Sequence, residues 1–244
     1  VNIAVFGENI LYINDKLSIT PGFRFEYIKT ESKGFYKNIN TDAAGNVILN
    51  ETIDNSEVRK RSFALLGIGI GYKPVDALEI YGNISQNYRS VTFSDISIIN
   101  PSFSISPSIS DEKGFTTDLG LRGIFKNIVS YDVGVFGLFY KNRIGFIQKA
   151  FPDGSVKTVR GNVGDAIIYG LESLIDFNLN KLFIKDNDYS FNYFINTSII
   201  DSKYTVSEEN GVEGKKVEFV PNLNFKTGLK FGYKNFLSNF QYTY

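Results

Sequence analysis

Residues 222–235 read NLNFKTGLKFGYKN, and from Leu223 onward the stretch alternates without a slip. Leu223, Phe225, Thr227, Leu229, Phe231 and Tyr233 fall on one phase, and Asn222, Asn224, Lys226, Gly228, Lys230, Gly232 and Lys234 on the other. Side chains of an extended strand point to opposite faces in turn, so this segment has one greasy face and one wetted face. Two architectures provide such surroundings. One is a soluble sandwich, and the other is a barrel with lipid outside and water inside.

The same alternation recurs along the chain and defines ten strand candidates: 1–13, 17–30, 60–73, 78–90, 114–126, 129–148, 167–180, 189–206, 222–234 and 236–244. Helical periodicity is nowhere persuasive. Leu17, Ile19, Phe23, Phe25 and Tyr27 oppose Ser18, Thr20, Gly22, Arg24 and Glu26. Ala64, Leu66, Ile68, Ile70 and Tyr72 oppose Gly67, Gly69, Gly71 and Lys73, and Tyr169, Leu171, Ile175 and Phe177 oppose Gly170, Glu172, Asp176 and Asn178. The strand at 129–148 breaks the pattern with Phe136 and Leu138 on its polar side, which implies packing against something in the lumen.

The connections separate the two architectures. Short links (NDK, PVDA, KNI, the short-to-medium KLFIKDND, and KN) alternate with long ones (31–59, 91–113, 149–166, 207–221) through all nine connections. A Greek-key sandwich has no reason to alternate, because its connections follow its topology. A barrel in an outer membrane does, with tight turns on one side and long loops on the other. Strands of 12 to 18 residues also exceed the roughly 5 to 6 usual in globular sheets. The expectation is therefore an all-β, antiparallel, up-and-down transmembrane β-barrel, with all four long loops on one rim. Tyr27, Tyr72, Tyr169, Tyr193 and Tyr233 are candidates for its aromatic girdles.

Composition removes several function classes. The 244 residues include no Cys, His, Met or Trp. No thiol nucleophile, thiolate metal site or disulfide can form, and the commonest general base is missing. Lys+Arg and Asp+Glu balance at 26 each, which gives no reason to expect a nucleic-acid partner. DGSVKTVRGNVGD lacks the spacing of a phosphate-binding loop. Asp111 and Glu112 are adjacent and point apart in an extended chain, so they cannot act as one acid/base pair. The acidic stretch TDAAGNVILNETIDNSE lacks EF-hand spacing and reads as a solvated loop. No signal peptide is recognisable, and the absence of methionine leads us to expect a processed product or a fragment.

LSITPGFRFEYI, NYRSVTFSDISIINPSF and RGNVGDAIIYGLESLIDFNL carry a family likeness. Their marks are Pro21-Gly22-Phe23-Arg24, the loop opening Arg89, Phe93, Ser94 and Asp95, and the strand entry Asn162, Gly164, Ala166, Tyr169, Gly170, Leu171 and Glu172. Over essentially the whole chain, 1–244, the sequence resembles the barrel domain of TonB-dependent outer-membrane receptors, most of all the ferric-citrate or siderophore type. The resemblance implies about ten consecutive strands of a 22-stranded barrel, with a plug domain, the TonB-engaging segment and the remaining strands lying elsewhere. It further implies a Gram-negative outer-membrane location, contact with outer-membrane lipid, energy from TonB, no enzyme activity, no resident cofactor, and a ferric chelate as cargo.

Charged residues on the inward phase are Arg24, Glu26, Glu79, Arg89, Arg122, Glu172, Asp176, Lys226 and Lys230. A ferric citrate complex is anionic, and arginine's planar fork matches carboxylates. Arg89 and Arg122 are read as flanking one long loop and Arg160 as sitting in the next. These three are the candidate ligand contacts. The same arginines also suit pairing with carboxylates of a plug or of neighbouring strands. Two other functions fit the barrel: TonB-dependent import of another cargo such as an oligosaccharide, and a non-transport barrel used for adhesion.

Overall fold

The computed structural model describes residues 1–42, 44–54, 56–96, 103–151, 154, 156–184 and 188–244. All ten sequence-predicted strands form, and consecutive ones pair antiparallel in the order in which they occur. They are β1 (Asn2–Glu8, continued by β2, Leu11–Tyr12), β3 (Leu17–Ser32), β6 (Glu57–Val75), β7 (Leu78–Arg89), β9 (Glu112–Phe125), β10 (Val129–Ala150), β11 (Val156–Asn178), β12 (Tyr189–Val206), β13 (Leu223–Tyr233) and β14 (Phe236–Thr243). Up-and-down order places the links after β3, β7, β10 and β12 on one rim and the short turns on the other, as the link lengths require. Between β9 and β10 the short turn carries Lys126 and Asn127 at φ 50° and 55°. Two successive positive φ values give the hairpin twist that matches right-twisted strands. Among the described residues β1 and β14 do not pair with each other, so the sheet is open at both edges.

Register confirms the phase assignment. Phe23 faces Leu66, Pro21 faces Ile68 and Ile19 faces Ile70, and Ile68 continues to Ile84. Farther along the sheet, Leu119 faces Val135, Val135 faces Leu171, Leu171 faces Ile199 and Ile199 faces Leu223. One continuous apolar layer therefore covers the outward surface. It is exposed within this chain, with Leu66 at 59% and Leu119 at 59%, which suits lipid as its solvent. Tyr72 and Tyr233 mark that layer near the short turns, where Tyr189 and Tyr233 pack 4.7 Å apart.

The opposite phase is polar and bonded across strands. Asn2 donates to Glu26 at 2.7 Å, Asn83 to Asp118 at 3.1 Å, Tyr81 to Asp132 at 2.7 Å and Asn192 to Asp176 at 3.0 Å. Phe136 and Leu138 do lie on this inward face, and their partners are in the chain itself. The Phe136 ring lies over Gly170, where an added Cβ would come within 2.9 Å of it. Leu138 packs against a buried cluster of Val163, Ala166, Ile168, Tyr204 and Val217. Tyr81 covers Gly120 in the same way (2.5 Å) and Phe194 covers Gly228 (2.6 Å).

Elements beyond the ten strands occupy the connections. Residues 33–56 hold a separate hairpin, β4 (Phe35–Thr41) with β5 (Val47–Asp54). Residues 90–111 hold a one-turn helix, α1 (Phe93–Ile96), and β8 (Phe103–Ile105). The chain leaves β11 through a π-helical turn at Asn180–Ile184. β11 starts eleven residues before the sequence-predicted 167, because it and β10 run on together past the ends of their neighbours. Where β12 has ended, the free edge of β11 takes β8 in parallel register, Phe103–Ile105 against Thr158–Arg160. The buried hydrophobic residues lie at this rim, in the Val163 cluster and in a second one of Val91, Ile96, Ile109 and Ile144.

Facing and glycine cover together make a prediction for the full-length parent protein. Leu66→Arg or Leu229→Arg puts charge into the lipid-facing layer at about 2 to 4 kcal/mol and impairs insertion. Gly69→Arg is tolerated, since its Cβ meets nothing closer than 3.7 Å. Gly120→Ala and Gly170→Ala lower stability although both face the lumen, because the new Cβ collides with the Tyr81 ring in the first and with the Ile199 carbonyl and the Phe136 ring in the second. Heat-modifiability on gels reads all five, and equal damage at Leu66 and Gly69 would refute the facing.

Candidate functional site

The link after β7 opens with Thr92-Phe93-Ser94-Asp95. Thr92 caps α1, and Asp95, three residues on, accepts from the Thr92 backbone N–H (2.8 Å) and hydroxyl (2.8 Å). A carboxylate at this position normally stays at the surface and satisfies one helix end. Here it is 0% exposed, and it receives two guanidinium groups as well. Arg89 donates at 2.9 and 3.2 Å. Arg160 donates through Nε at 2.8 Å and again through Nη2. Arg89 belongs to the end of β7 and Arg160 to the upper part of β11, so one buried carboxylate ties two distant strands to the helix between them.

Two further acids continue the network. Glu112 accepts from Arg89 (2.7 Å) and from the Ile144 N–H (2.8 Å). Asp111 accepts from Arg61 (2.7 Å), from the Val91 N–H (2.7 Å) and from the Tyr88 hydroxyl. The neighbours Asp111 and Glu112 thus serve different partners, as their opposite facing requires. Burial alone would raise the pKa of Asp95. The Thr92 N–H, Arg160, the Thr92 hydroxyl and Arg89 outweigh it and hold the carboxyl at about 2. Asp111 is held below the usual carboxylate range by the same competition, with burial opposed by Tyr88, the Val91 N–H and Arg61.

Below this anchor lies a cavity of about 530 Å³ on the inward side, bounded by Arg89, Glu112, Tyr140, Arg143, Arg160 and Glu218. Arg160 stacks on Phe146, 4.7 Å from its centroid. The link after β12 closes the cavity from the other side. Its Glu218 accepts from the Tyr204 hydroxyl at 2.7 Å and stands 4.0 Å from Arg143. Its Phe219 is held at φ 62° and is 92% exposed. Arg143 lines the cavity, and its Nε is buried with no hydrogen-bond partner among the described residues.

Of the three sequence-predicted arginines, Arg89 and Arg160 meet at this wall, through Asp95. Arg122 does not flank the same loop. It sits three residues from the short-turn end of β9, bonded to Glu79 at 3.2 Å through both Nε and Nη2. Ten residues of strand separate it from Glu112, about 33 Å of extended chain. Arg143 was missed by the sequence reading. A signal existed in KNRIG, where Asn142 at φ 57° marks the irregularity in the β10–β11 register that turns Arg143 inward.

The TonB dependent receptor-like β-barrel family model matches residues 1–244. Among curated proteins nothing matches. Among solved structures, the copper transporter OprC superposes at TM-score 0.68 with 16% identity over 99% of this chain and 34% of its own. The ferric citrate transporter FecA in its unliganded form gives 0.65 with 19% identity over 98% and 31%. The hemophore receptor HasR of Serratia marcescens, solved with its hemophore and heme, gives 0.69 with 12% identity over 99% and 44%. At these identities the likeness is one of fold. The chain spans roughly a third of OprC and FecA and 44% of HasR.

Asp95 makes the anchor testable. In the full-length parent at pH 7, Asp95→Asn should leave the barrel heat-modifiable yet raise amide exchange across 90–111. The local cost is about 3 kcal/mol, at the low end for a broken buried pair because Arg89 is 40% exposed. The carboxyl is depressed from 3.8 to about 2. The wild-type protection should therefore be complete above pH 3.8 and fade as pH falls through about 2. Unchanged exchange in the variant would refute the anchoring role.

Proposed function

Because the chain belongs to the TonB-dependent receptor-like β-barrel family, we propose that it is one segment of an outer-membrane receptor importing a ferric chelate, iron(III) dicitrate or a siderophore. The family is one of transport receptors of the Gram-negative outer membrane. In this reading the rest of a longer chain supplies the remaining strands, the plug and the TonB contact. The single observation carrying the cargo assignment is the inward cavity with arginines converging on it from three different strand positions, Arg89, Arg143 and Arg160. Arginine's fork binds carboxylates in two parallel bonds, which suits a chelate whose outer surface is carboxylate. Arg143 makes the principal contact, since its carboxylate, Glu218, stands 4.0 Å off whereas Arg89 and Arg160 are hydrogen-bonded directly to theirs, while Arg89 and Arg160 contribute the edges they show to the cavity. Arg122 meets cargo only later, near the short-turn end of the lumen.

A second reading follows from the charge balance of the same wall. Three guanidinium groups (Arg89, Arg143, Arg160) are matched by three carboxylates (Asp95, Glu112, Glu218). A wall without excess charge also suits a neutral, hydroxyl-rich cargo such as an oligosaccharide, with Tyr140, Phe146 and Phe219 as stacking surfaces.

Uptake of radiolabelled iron(III) dicitrate by cells expressing the full-length parent, in hosts with and without TonB, separates the two. The ferric-chelate reading expects TonB-dependent uptake that falls about tenfold or more in Arg143→Gln, the loss of one charge-assisted bond. It expects a smaller effect in Arg122→Gln. No uptake from a correctly inserted barrel, across citrate and siderophore chelates, would overturn it and favour the oligosaccharide.

A further inference from the structure

On the outward face, at the long-link end, β6 and β7 part company. Their ladder stops at Gly67 and Ser85, although β6 continues beside β3 and β7 beside β9. At the point of separation the Gln86 side chain accepts the Leu66 N–H at 3.0 Å. A shallow groove of about 740 Å³ opens there, with Leu66, Ile68, Ile84, Phe115, Phe139 and Ile167 among its walls. Phe115 and Phe139 face each other across β9 and β10 and stack at 4.3 Å, 14° from parallel.

Directly beyond that stack, Lys113 and Lys141 are cross-strand partners on the same outward face, and both line the groove. Like charges placed opposite each other on a sheet repel. No ion pair or hydrogen bond relieves either lysine among the described residues. Asp165, also at the groove, is occupied with the Asn142 N–H at 2.9 Å and forms no ion pair with them.

Height decides what meets this pair. Lys113 stands twelve residues above Phe125, and Lys141 twelve above Val129. At about 3.3 Å per residue and a tilt near 45°, both lie about 28 Å above the short turns. The apolar band of such a barrel is about 25 Å tall. The lysines therefore sit at headgroup level, and the groove beneath them sits at acyl-chain level.

We propose that this groove binds a lipid whose headgroup is a phosphomonoester, the doubly charged phosphate lying between Lys113 and Lys141 and an acyl chain lying along Phe115, Phe139 and Ile84. A dianion matches two unpartnered lysines, whereas a zwitterionic headgroup leaves their repulsion in place. The proposal rests on the barrel's place in a bilayer and is independent of the cargo.

Native mass spectrometry of the full-length parent in detergent tests it, with phosphatidic acid and phosphatidylcholine of identical chains as probes. The wild type should retain phosphatidic acid by about thirtyfold over phosphatidylcholine, the effect of two lysines at an anionic surface. Lys113→Gln/Lys141→Gln should abolish that preference, while Lys126→Gln/Lys234→Gln at the other rim should keep it. Phe139→Ala should weaken retention of both lipids. Heat-modifiability confirms that each variant has folded. A preference surviving the Lys113/Lys141 double variant would overturn the proposal. Displacement of phosphatidic acid by millimolar inorganic phosphate would also overturn it, because the site would then bind phosphate without using the groove.

Discussion

A strand in hydrocarbon has no water to satisfy its N–H and C=O groups, so each must find a partner in the next strand. That constraint explains why sequence neighbours pair one after another across this sheet, and why the outward surface could be given over to Leu, Ile, Val and Phe. It also explains why deviations from the ladder are few and each is bridged. The β6–β7 separation is bridged by Gln86, the β10–β11 irregularity by Asn142 and Asp165, and the free edge of β11 by β8. Each supplies a substitute partner where regular pairing stops.

Buried hydrophobic packing of the soluble kind is confined to the long-link rim. Val91, Ile96, Ile109 and Ile144 form one cluster there, and Val163, Ala166, Ile168, Tyr204 and Val217 the other. The links after β7 and β12 therefore pack onto the strand ends, through Val91, Ile96 and Ile109 in one and Val217 in the other. The Asp95 network is the polar counterpart of that packing, since a carboxylate at 0% exposure is tolerable only with its bonds filled.

The strands were legible because most carry their own periodic record over a dozen or more residues, and the short and long links give the order. The family-like opening Arg89…Asp95 was legible as a motif, but its physical meaning was not. Arg160, the second guanidinium, is 65 residues away, and nothing local to Asp95 announces it. Arg122 is a different case. A strand predicted over 114–126 already places residue 122 near its far end, so its distance from the loop followed from the strand boundaries themselves. The hairpin at 33–56 escaped because polar residues dominate it and, among the described residues, its side chains are exposed, so nothing imposes alternation on it. The inward Phe136 looked anomalous because periodicity records which face a side chain takes, not what covers it.

Phe136 on Gly170, Tyr81 on Gly120 and Phe194 on Gly228 share a consequence for the bore. A Cβ at any of these glycines would collide with the ring opposite it in the register, so each glycine lets that ring settle on bare backbone at about one contact distance, roughly 3.5 Å. Three aromatic side chains are thus stored as a thin lining instead of as obstacles. The glycines beneath them set how far this wall projects inward.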